Sequence, residues 1–333
     1  MINNQIYLDN TLAREVIKPK GMCDTAKCLD LITGGADPNC EKYIDFLHFT
    51  PLTMAASKGH TNVVRALIEH NASIDHPANE HGTPLMYAAR EGHEDVVRLL
   101  IDSGAGLNRT DMYGSTAIEW AATTGQAATV KTLLDVYKSQ KDSLTSHYHH
   151  KALMAAIDKN HTECAKILID GLDESGFSYY AQSASVQAIK HQNLEILTAL
   201  LDKGIAGKNL LEVAVRHGAE KVTDLLLKRG MNPNVIIDNA NTTVLMEAAY
   251  QGSAALVQVL LRHGADSTLK DDDGETASDI AAKELKTAKK SFKPELKKVR
   301  DMLIIATFQT AATKGTLKTR RILRPIKQKG PTV

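Results

Sequence analysis

Histidine and cysteine side chains that could act as bases, nucleophiles or metal ligands are spread through this chain of 333 residues. Cys164 follows His161 by three residues, so an imidazole could activate a thiol there for nucleophilic catalysis. Side chains that could bind a metal ion fall in two groups: Cys23, Cys28 and Cys40, and His147, His149 and His150. Neither group has the C-x-x-C spacing of common zinc sites, and we interpret the histidines as a polar loop.

Sequence motifs for nucleotide or acyl chemistry are also missing. The chain has no G-x-x-x-x-G-K-[ST] phosphate loop, no G-x-G-x-x-G after a strand and no G-x-S-x-G. We therefore predict no catalytic residue, no cofactor and no metal site. An enzyme hidden in the divergent stretch from Ser139 to Lys208 stays open as the weaker alternative.

The elements that carry these side chains are short helices in pairs. Thr83 can cap a helix with its hydroxyl, and Pro84 suits the first helical position because its φ is already helical. Gly92 can end this helix in a left-handed conformation, and a second, strongly apolar helix would then run to Gly104. Such a helix pair buries little apolar surface alone and needs neighbours on both sides.

The same pattern recurs along the chain. It begins at Thr50-Pro51-Leu52, Thr83-Pro84-Leu85 and Thr116-Ala117-Ile118, in steps of 33 residues, and weaker copies begin at Lys151, Ser183, Asn209, Thr243 and Thr276. The phase places His60, His93 and His161 just after the turn between two helices, where we predict local hydrogen bonds rather than catalysis, and it places Cys164 at an ordinary position of a second helix.

The pattern T-P-L-x-x-A-A-x-x-G-H-x-x-V-V-x-L-L-x-x-G-A, nearly intact at 50–72 and 83–105, resembles the ankyrin repeat family. The resemblance implies an all-α solenoid of stacked helix-turn-helix repeats with short β-hairpin fingers. We expect about eight or nine repeats over residues 1–282, a C-terminal repeat end and capping helix over 283–315, and a basic, disordered tail over 316–333.

Irregular steps predict irregular structure. The step of 26 residues from Ser183 to Asn209 leaves too little chain for a full finger, and the step of 35 residues before Lys151 implies a lengthened helix or loop. Upstream, residues 12–17 and 25–39 suggest a degenerate first repeat. Whether the array forms one stack or two segments stays open.

Composition indicates a folded protein of a reducing compartment. Hydrophobic residues make up 43% of the chain and aromatic residues only 5%, which suits thin stacked layers. Four cysteines without an apolar leader favour free thiols and a cytoplasmic protein, or one delivered to a host cytoplasm. The net charge is −11 before residue 283 and +12 from there on. The basic tail could contact an acidic partner, a membrane surface or nucleic acid, or direct nuclear entry.

The resemblance further implies that a partner protein binds along the finger tips and the exposed ends of the first helices. Aromatic residues are strong anchors at protein interfaces, and several fall at predicted finger tips. The expected partner-binding residues are Phe46, Leu47, Arg90, Glu91, Met112, Tyr113, Tyr148, Tyr179, Tyr180 and Tyr250. Tyr87 and Trp120 occupy a position of the first helix that is usually apolar core in this family, so we expect both side chains to be buried.

These expectations define a non-catalytic scaffold for protein–protein interaction. We expect a monomer that binds no small-molecule substrate. A pathogen effector, or an adaptor subunit of a modifying complex, would use such an array in the same way, so both alternatives stay open.

Overall fold

The computed structural model describes residues 2–44, 47–140, 145–172, 178–204 and 207–313. It is built from short helices in antiparallel pairs and divides into two compact units, Met1–Gly207 and Lys208–Val333. The α-helices of the first unit are α1 (Ile2–Val16), α2 (Thr25–Thr33), α3 (Pro51–Lys58), α4 (Thr61–Glu69), α5 (Pro84–Glu91), α6 (Glu94–Asp102), α7 (Ala117–Thr124), α8 (Ala127–Gln140), α9 (Thr145–Asp158), α10 (Thr162–Gly171), α11 (Ser178–Lys190) and α12 (Leu194–Asp202).

The second unit continues with the same kind of helix pair. Its α-helices are α13 (Leu210–Arg216), α14 (Glu220–Lys228), α15 (Val244–Tyr250), α16 (Ala254–Arg262), α17 (Ala277–Thr287) and α18 (Lys293–Thr313). Strands are few and belong to the fingers. In the first unit β1 (Lys42–Ile44) pairs with β2 (Leu47–Phe49) as an antiparallel hairpin, and in the second unit Ile236 and Thr243 form an isolated bridge.

Local signals start and end the regular helices as the sequence predicts. The hydroxyl of Thr50 accepts a hydrogen bond from the backbone N–H of Thr53, and Pro51 is the first residue of α3. Gly59 ends that helix with φ +72°, a left-handed conformation that glycine adopts without steric cost. The equivalent residues do the same at α5. Helix pairs at the intact copies are thus confirmed.

Small and branched apolar side chains fill the space between the layers. Leu52, Leu67, Leu85 and Leu100 are fully buried, and buried alanines such as Ala88 allow neighbouring helices to approach closely. Each pair therefore buries its apolar face against the next pair, as expected for a solenoid.

The turn histidines join successive repeats rather than forming local bonds alone. The ring Nε2 of His60 lies 2.9 Å from the carbonyl oxygen of Lys18, that of His93 lies 3.0 Å from Ser57 O, and that of His161 lies 3.0 Å from Thr123 O. Burial lowers the pKa of His60 below its usual value. We interpret these contacts as structural links within the first unit.

The irregular repeats depart from the pattern where the spacing predicts. Helix α8 is 14 residues long, compared with nine in α4 and α6, which accounts for the long step before Lys151. Only residues 203–209 separate α12 from α13, so the finger there is truncated. Helix α1 is longer than expected and begins at Ile2, and α18 lies within the stretch 283–315 in which we expect a repeat end and a capping helix.

A buried carboxylate stabilises the N-terminal repeat. Glu15 is 2% exposed, and its carboxylate accepts hydrogen bonds from Lys18 Nζ at 2.6 Å and from the backbone N–H of Asp24 at 2.9 Å. These contacts lower its pKa from 4.5 to about 2, with the Lys18 bond as the largest cause and burial opposing it. Because the folded-state pKa is below the unfolded value, the stabilisation is present above pH 4.5 and is lost as the pH falls towards 2.

We expect Glu15→Gln to lower the free energy of unfolding by about 1–3 kcal/mol at pH 7, because charged hydrogen bonds to a buried group are lost. The difference between wild type and variant should shrink as the pH falls from 5 to about 2. Urea denaturation across this range tests the prediction. A difference that does not change with pH would contradict it.

Candidate functional site

Three aromatic side chains of the first unit stack edge to face across successive repeats. The ring of Tyr87 lies 5.6 Å from that of Phe49 and 5.3 Å from that of Trp120, with interplanar angles of 65° and 76°. Tyr87 and Trp120 hold the same position of consecutive repeats, and we call the three rings the aromatic ladder. Such T-shaped pairs are favourable arrangements of aromatic rings. Tyr87 is buried as expected, whereas Trp120 is only half-buried, so its predicted place in the core is wrong.

A guanidinium group covers the ladder from the solvent side. The Cζ atom of Arg90 lies 5.1 Å from the centre of the Tyr87 ring and 5.3 Å from that of Trp120, distances at which a cation is attracted to an aromatic face. Arg90 Nε also pairs with Glu91 Oε1 at 3.0 Å. The exposed end of α5 thus presents a charged pair directly above apolar rings.

One carboxylate connects the ladder to the neighbouring finger tip. Asp111 Oδ1 accepts hydrogen bonds from the backbone N–H groups of Tyr113 at 2.9 Å and Ser115 at 2.8 Å, and its Oδ2 accepts from Trp120 Nε1 at 2.8 Å. Asp111 itself is buried. The tip is therefore fixed relative to the rings, and its outermost side chains, Met112 and Tyr113, project into solvent with 58% and 68% of their surfaces exposed.

A second acidic group lies under the same finger. Glu119 Oε1 accepts a hydrogen bond from Ser115 Oγ at 3.0 Å, while its buried Oε2 has no hydrogen-bond partner among the described residues. Burial raises the pKa of Glu119, and the nearby charge of Lys151 opposes that shift. The carboxyl group therefore holds its proton to a higher pH than an exposed glutamate would.

The structure brings together part of the predicted binding set. Arg90, Glu91, Met112 and Tyr113 all lie beside the ladder, at the helix end and finger tip where the pattern places them. Phe46 lies outside the described residues. Leu47 is the first residue of β2.

Three of the predicted tyrosines are not finger tips. Tyr148 lies inside α9, and Tyr179 and Tyr180 lie inside α11; the ring of Tyr180 contacts that of His150 in a tilted arrangement. The prediction of their location is wrong because these repeats lack a Thr-Pro start signal, and both helices begin before Lys151 and Ser183. An unbroken aromatic edge along the fingers is therefore not formed by these residues.

Tyr250 belongs to the second unit and is exposed at the end of α15, as the repeat pattern predicts. Adjacent fingers of that unit are joined by hydrogen bonds: the backbone N–H of Asp272 donates to Ala240 O at 3.0 Å, and Asn241 Nδ2 donates to Asp272 Oδ1 at 2.6 Å. The surface formed by Tyr250 and these fingers has one exposed aromatic residue. Among its described residues it has no counterpart of the aromatic ladder.

The histidine and cysteine side chains that could have acted in catalysis make structural contacts instead. His149 Nε2 bonds the carbonyl oxygen of Leu168 at 2.8 Å, and His161 Nε2 bonds that of Thr123. Cys164 is buried, which raises the pKa of its thiol to about 11, far from the range of an activated nucleophile. Within the described ranges no group of three or more His, Cys, Asp or Glu side chains is placed to hold a metal ion. His147 is described only through the backbone of α9.

Comparison with known protein families identifies the repeats of this chain. The family model described as "Ankyrin repeats (3 copies)" matches residues 15–111, 103–182 and 211–290. A putative ankyrin repeat-containing protein of Treponema pallidum is 28% identical over 115 residues, which cover 32% of this chain and 38% of that protein. The mouse B-cell lymphoma 3 protein homolog is 28% identical over 118 residues, covering 32% of this chain and 26% of that protein. The matches thus span well under half of either relative.

Among solved structures, the ankyrin repeat domain of human ASB11 aligns with 74% of this chain and 96% of its own, at 23% identity and a TM-score of 0.38. In the part of the chain that the structure describes, no helix is both long and apolar enough to cross a membrane.

Proposed function

Because the chain belongs to the ankyrin repeat family, whose repeats indicate a scaffold for protein–protein interaction, we propose that it binds a partner protein through the face around the aromatic ladder. This partner face consists of Arg90, Glu91, Met112, Tyr113 and Trp120. It acts without catalysis, by holding its partner in a defined orientation.

The observation that supports this proposal most is the fixed, exposed finger tip. Met112 and Tyr113 have no apolar cover, yet three hydrogen bonds to Asp111 hold their loop and the adjacent Trp120 in place. A loop whose backbone is ordered before binding loses less conformational entropy when a partner covers it. The exposed Tyr113, the half-buried Trp120 and the neighbouring Arg90 are also of the residue types that dominate interface energies.

The chemistry of the face suggests what the partner presents. Met112 and the Trp120 ring favour an apolar or aromatic anchor, while the Arg90–Glu91 pair can exchange charged hydrogen bonds with polar groups at the rim. The net charge of −11 before residue 283 favours a basic or neutral partner over an acidic one.

We expect Met112→Ser with Tyr113→Ser to leave folding intact and to weaken partner binding by about tenfold or more, because two exposed anchors are lost. The partner is first captured from lysate with the wild-type protein, and the affinities of wild type and variant for the captured protein are then compared. Trp120 is the only tryptophan in the chain, so its fluorescence reports occupancy of the face directly.

A matched control replaces Ile236 and Tyr250, two exposed apolar residues of the second unit, by serine. This variant should bind like wild type if the face in the first unit carries the interaction. Equal affinity of the Met112/Tyr113 variant and wild type would refute the proposal.

We further propose a monomeric cytoplasmic protein, a location that suits the four free thiols. Adaptor and effector roles would use the same face, and only the identity of the captured partner separates them. The basic segment 316–333 lies outside the described residues, so its contacts with acidic partners, membranes or nucleic acid remain a separate hypothesis.

A further inference from the structure

The outer face of the last helix is apolar where a terminal element should be polar. One side of α18 packs against the rest of the second unit through Leu296 and Val299, which are buried. On the opposite side Ile305 is 58% exposed and Phe308 is 49% exposed, and Ile304 next to them is also exposed. The ends of repeat arrays usually carry polar outer faces because water covers them. Three exposed apolar side chains within two turns of the helix therefore indicate that something other than water covers this face.

Lysines continue this face towards the start of the helix. Lys293, Lys297, Ile304 and Phe308 are separated by four, seven and four residues, so they share one side of the helix. Together with Ile305 they form what we call the outer stripe. Neither lysine of the stripe makes an ion pair with a described residue.

The acidic side chains of the helix do not cancel this charge. Glu295 pairs with Lys298 at 3.8 Å, and Asp301 pairs with Arg300 at 2.6 Å. Lys289 and Lys290, in the turn before the helix, are exposed and add further positive charge. The stripe therefore combines uncompensated positive charge with exposed apolar surface.

We propose that the outer stripe docks α18 onto an anionic lipid surface. From Lys293 to Phe308 the stripe extends over about 22 Å, at 1.5 Å per residue. A bilayer surface offers negative headgroups along this whole length and an apolar layer just below them. The headgroups can therefore pair with the lysines of the stripe while the apolar layer covers its Ile and Phe side chains. Nucleic acid would match the lysines but not the Ile and Phe side chains.

An acidic protein segment is the competing occupant. A shallow groove of about 540 Å³ lies beside the stripe, between α16 and α18, with Leu261, Met302 and Ile305 among its lining residues. A peptide side chain could enter it. The exposed residues on the ridge, Ile304 and Phe308, lie outside this groove, and the lipid surface is favoured because it covers the ridge as well.

The test measures sedimentation of the full chain with vesicles. The probes are phosphatidylcholine vesicles containing about 30 mol% phosphatidylserine and vesicles of phosphatidylcholine alone. We expect binding to the former, weaker binding at high salt, and little binding to the latter. Ile304→Gln with Phe308→Gln, and separately Lys293→Gln with Lys297→Gln, should each weaken binding by about tenfold or more.

Control variants distinguish vesicle binding by the outer stripe from vesicle binding by positive charge elsewhere on the protein. Lys131→Gln with Lys221→Gln removes two exposed helical lysines elsewhere and should bind nearly as well as wild type. Met112→Ser with Tyr113→Ser should also bind vesicles normally, so this result is independent of the partner face. All substituted residues are exposed, and circular dichroism confirms that each variant is folded.

Two outcomes would overturn the proposal. If the Ile304/Phe308 variant binds vesicles like wild type, the attraction comes from other positive charge, including that of residues 314–333, and not from the stripe. If wild type does not bind the phosphatidylserine vesicles at all, lipid is excluded and the acidic protein segment becomes the favoured occupant.

Discussion

Replacing Gly125 by alanine should lower the free energy of unfolding of the first unit by about 3 kcal/mol. Gly125 ends α7 with φ +80°, a conformation that costs an L-residue about 1 kcal/mol. In addition, a Cβ atom at this position would stand 2.7 Å from Nδ1 and 2.9 Å from Cε1 of the His161 ring. The ring cannot easily move away, because its Nε2 is bonded to the carbonyl oxygen of Thr123.

The matched control is Gly104→Ala. Gly104 has φ +93°, but a Cβ atom there meets nothing within 4 Å, so the substitution should cost only about 1 kcal/mol of backbone strain. Gly92→Val should fall between the two, at about 1–3 kcal/mol, because its Cβ would meet the flexible end of Gln126 instead of a ring. Urea denaturation of the three variants gives the comparison. Equal losses for Gly125→Ala and Gly104→Ala would show that the histidine link carries no stability.

Asp111→Ala should cost about 3 kcal/mol and disrupt the partner face at the same time. The change removes the acceptor for three donors: the backbone N–H groups of Tyr113 and Ser115 and the indole N–H of Trp120. Loss of three hydrogen bonds to one buried carboxylate lowers stability, because the partly buried donors are left without their charged acceptor. The finger tip should then lose its fixed position, so affinity for the partner falls together with stability.

The tryptophan itself reports the local change. We expect the emission of Trp120 to shift to longer wavelength in Asp111→Ala, because the ring becomes more exposed to water once its hydrogen bond is gone. Asp271→Ala is the control: Asp271 makes the same turn in the second unit, accepting from the backbone N–H of Glu275 at 2.8 Å, but no indole bonds to it. It should cost about 1 kcal/mol and leave the emission unchanged. An unshifted spectrum in Asp111→Ala would contradict the proposed link.

The regular repeats could be predicted from sequence because their signals are local. Thr50, Pro51 and Gly59 define the start and end of α3 through bonds and dihedral angles of their own neighbourhood. The same holds for the repeat phase, which located His93 and Tyr113 correctly. The family, the helix pairs and the short linker before α13 follow from such signals alone.

Other features depend on contacts between distant residues. Helices α9 (Thr145–Asp158) and α11 (Ser178–Lys190) begin earlier than predicted because their repeats lack the Thr-Pro signal that marked the regular starts, and in α9 His149 bonds Leu168 of another helix. The aromatic ladder could be suspected from the spacing of Tyr87 and Trp120, but the position of Arg90 above both rings depends on how two repeats pack. Sequence alone also gave no indication that Asp111 reaches Trp120.

The hydrogen bonds made by His60, His93 and His161 affect which mutations the repeat array can tolerate. Each ring bonds a backbone carbonyl oxygen, a group that every residue carries whatever its side chain. Mutations that alter the surface of one repeat therefore leave its junction with the next repeat chemically intact. Duplication or loss of one 33-residue segment would likewise bring an equivalent carbonyl to the same imidazole. The three junctions that carry these links can thus be inherited unchanged while the surfaces on either side of them diverge.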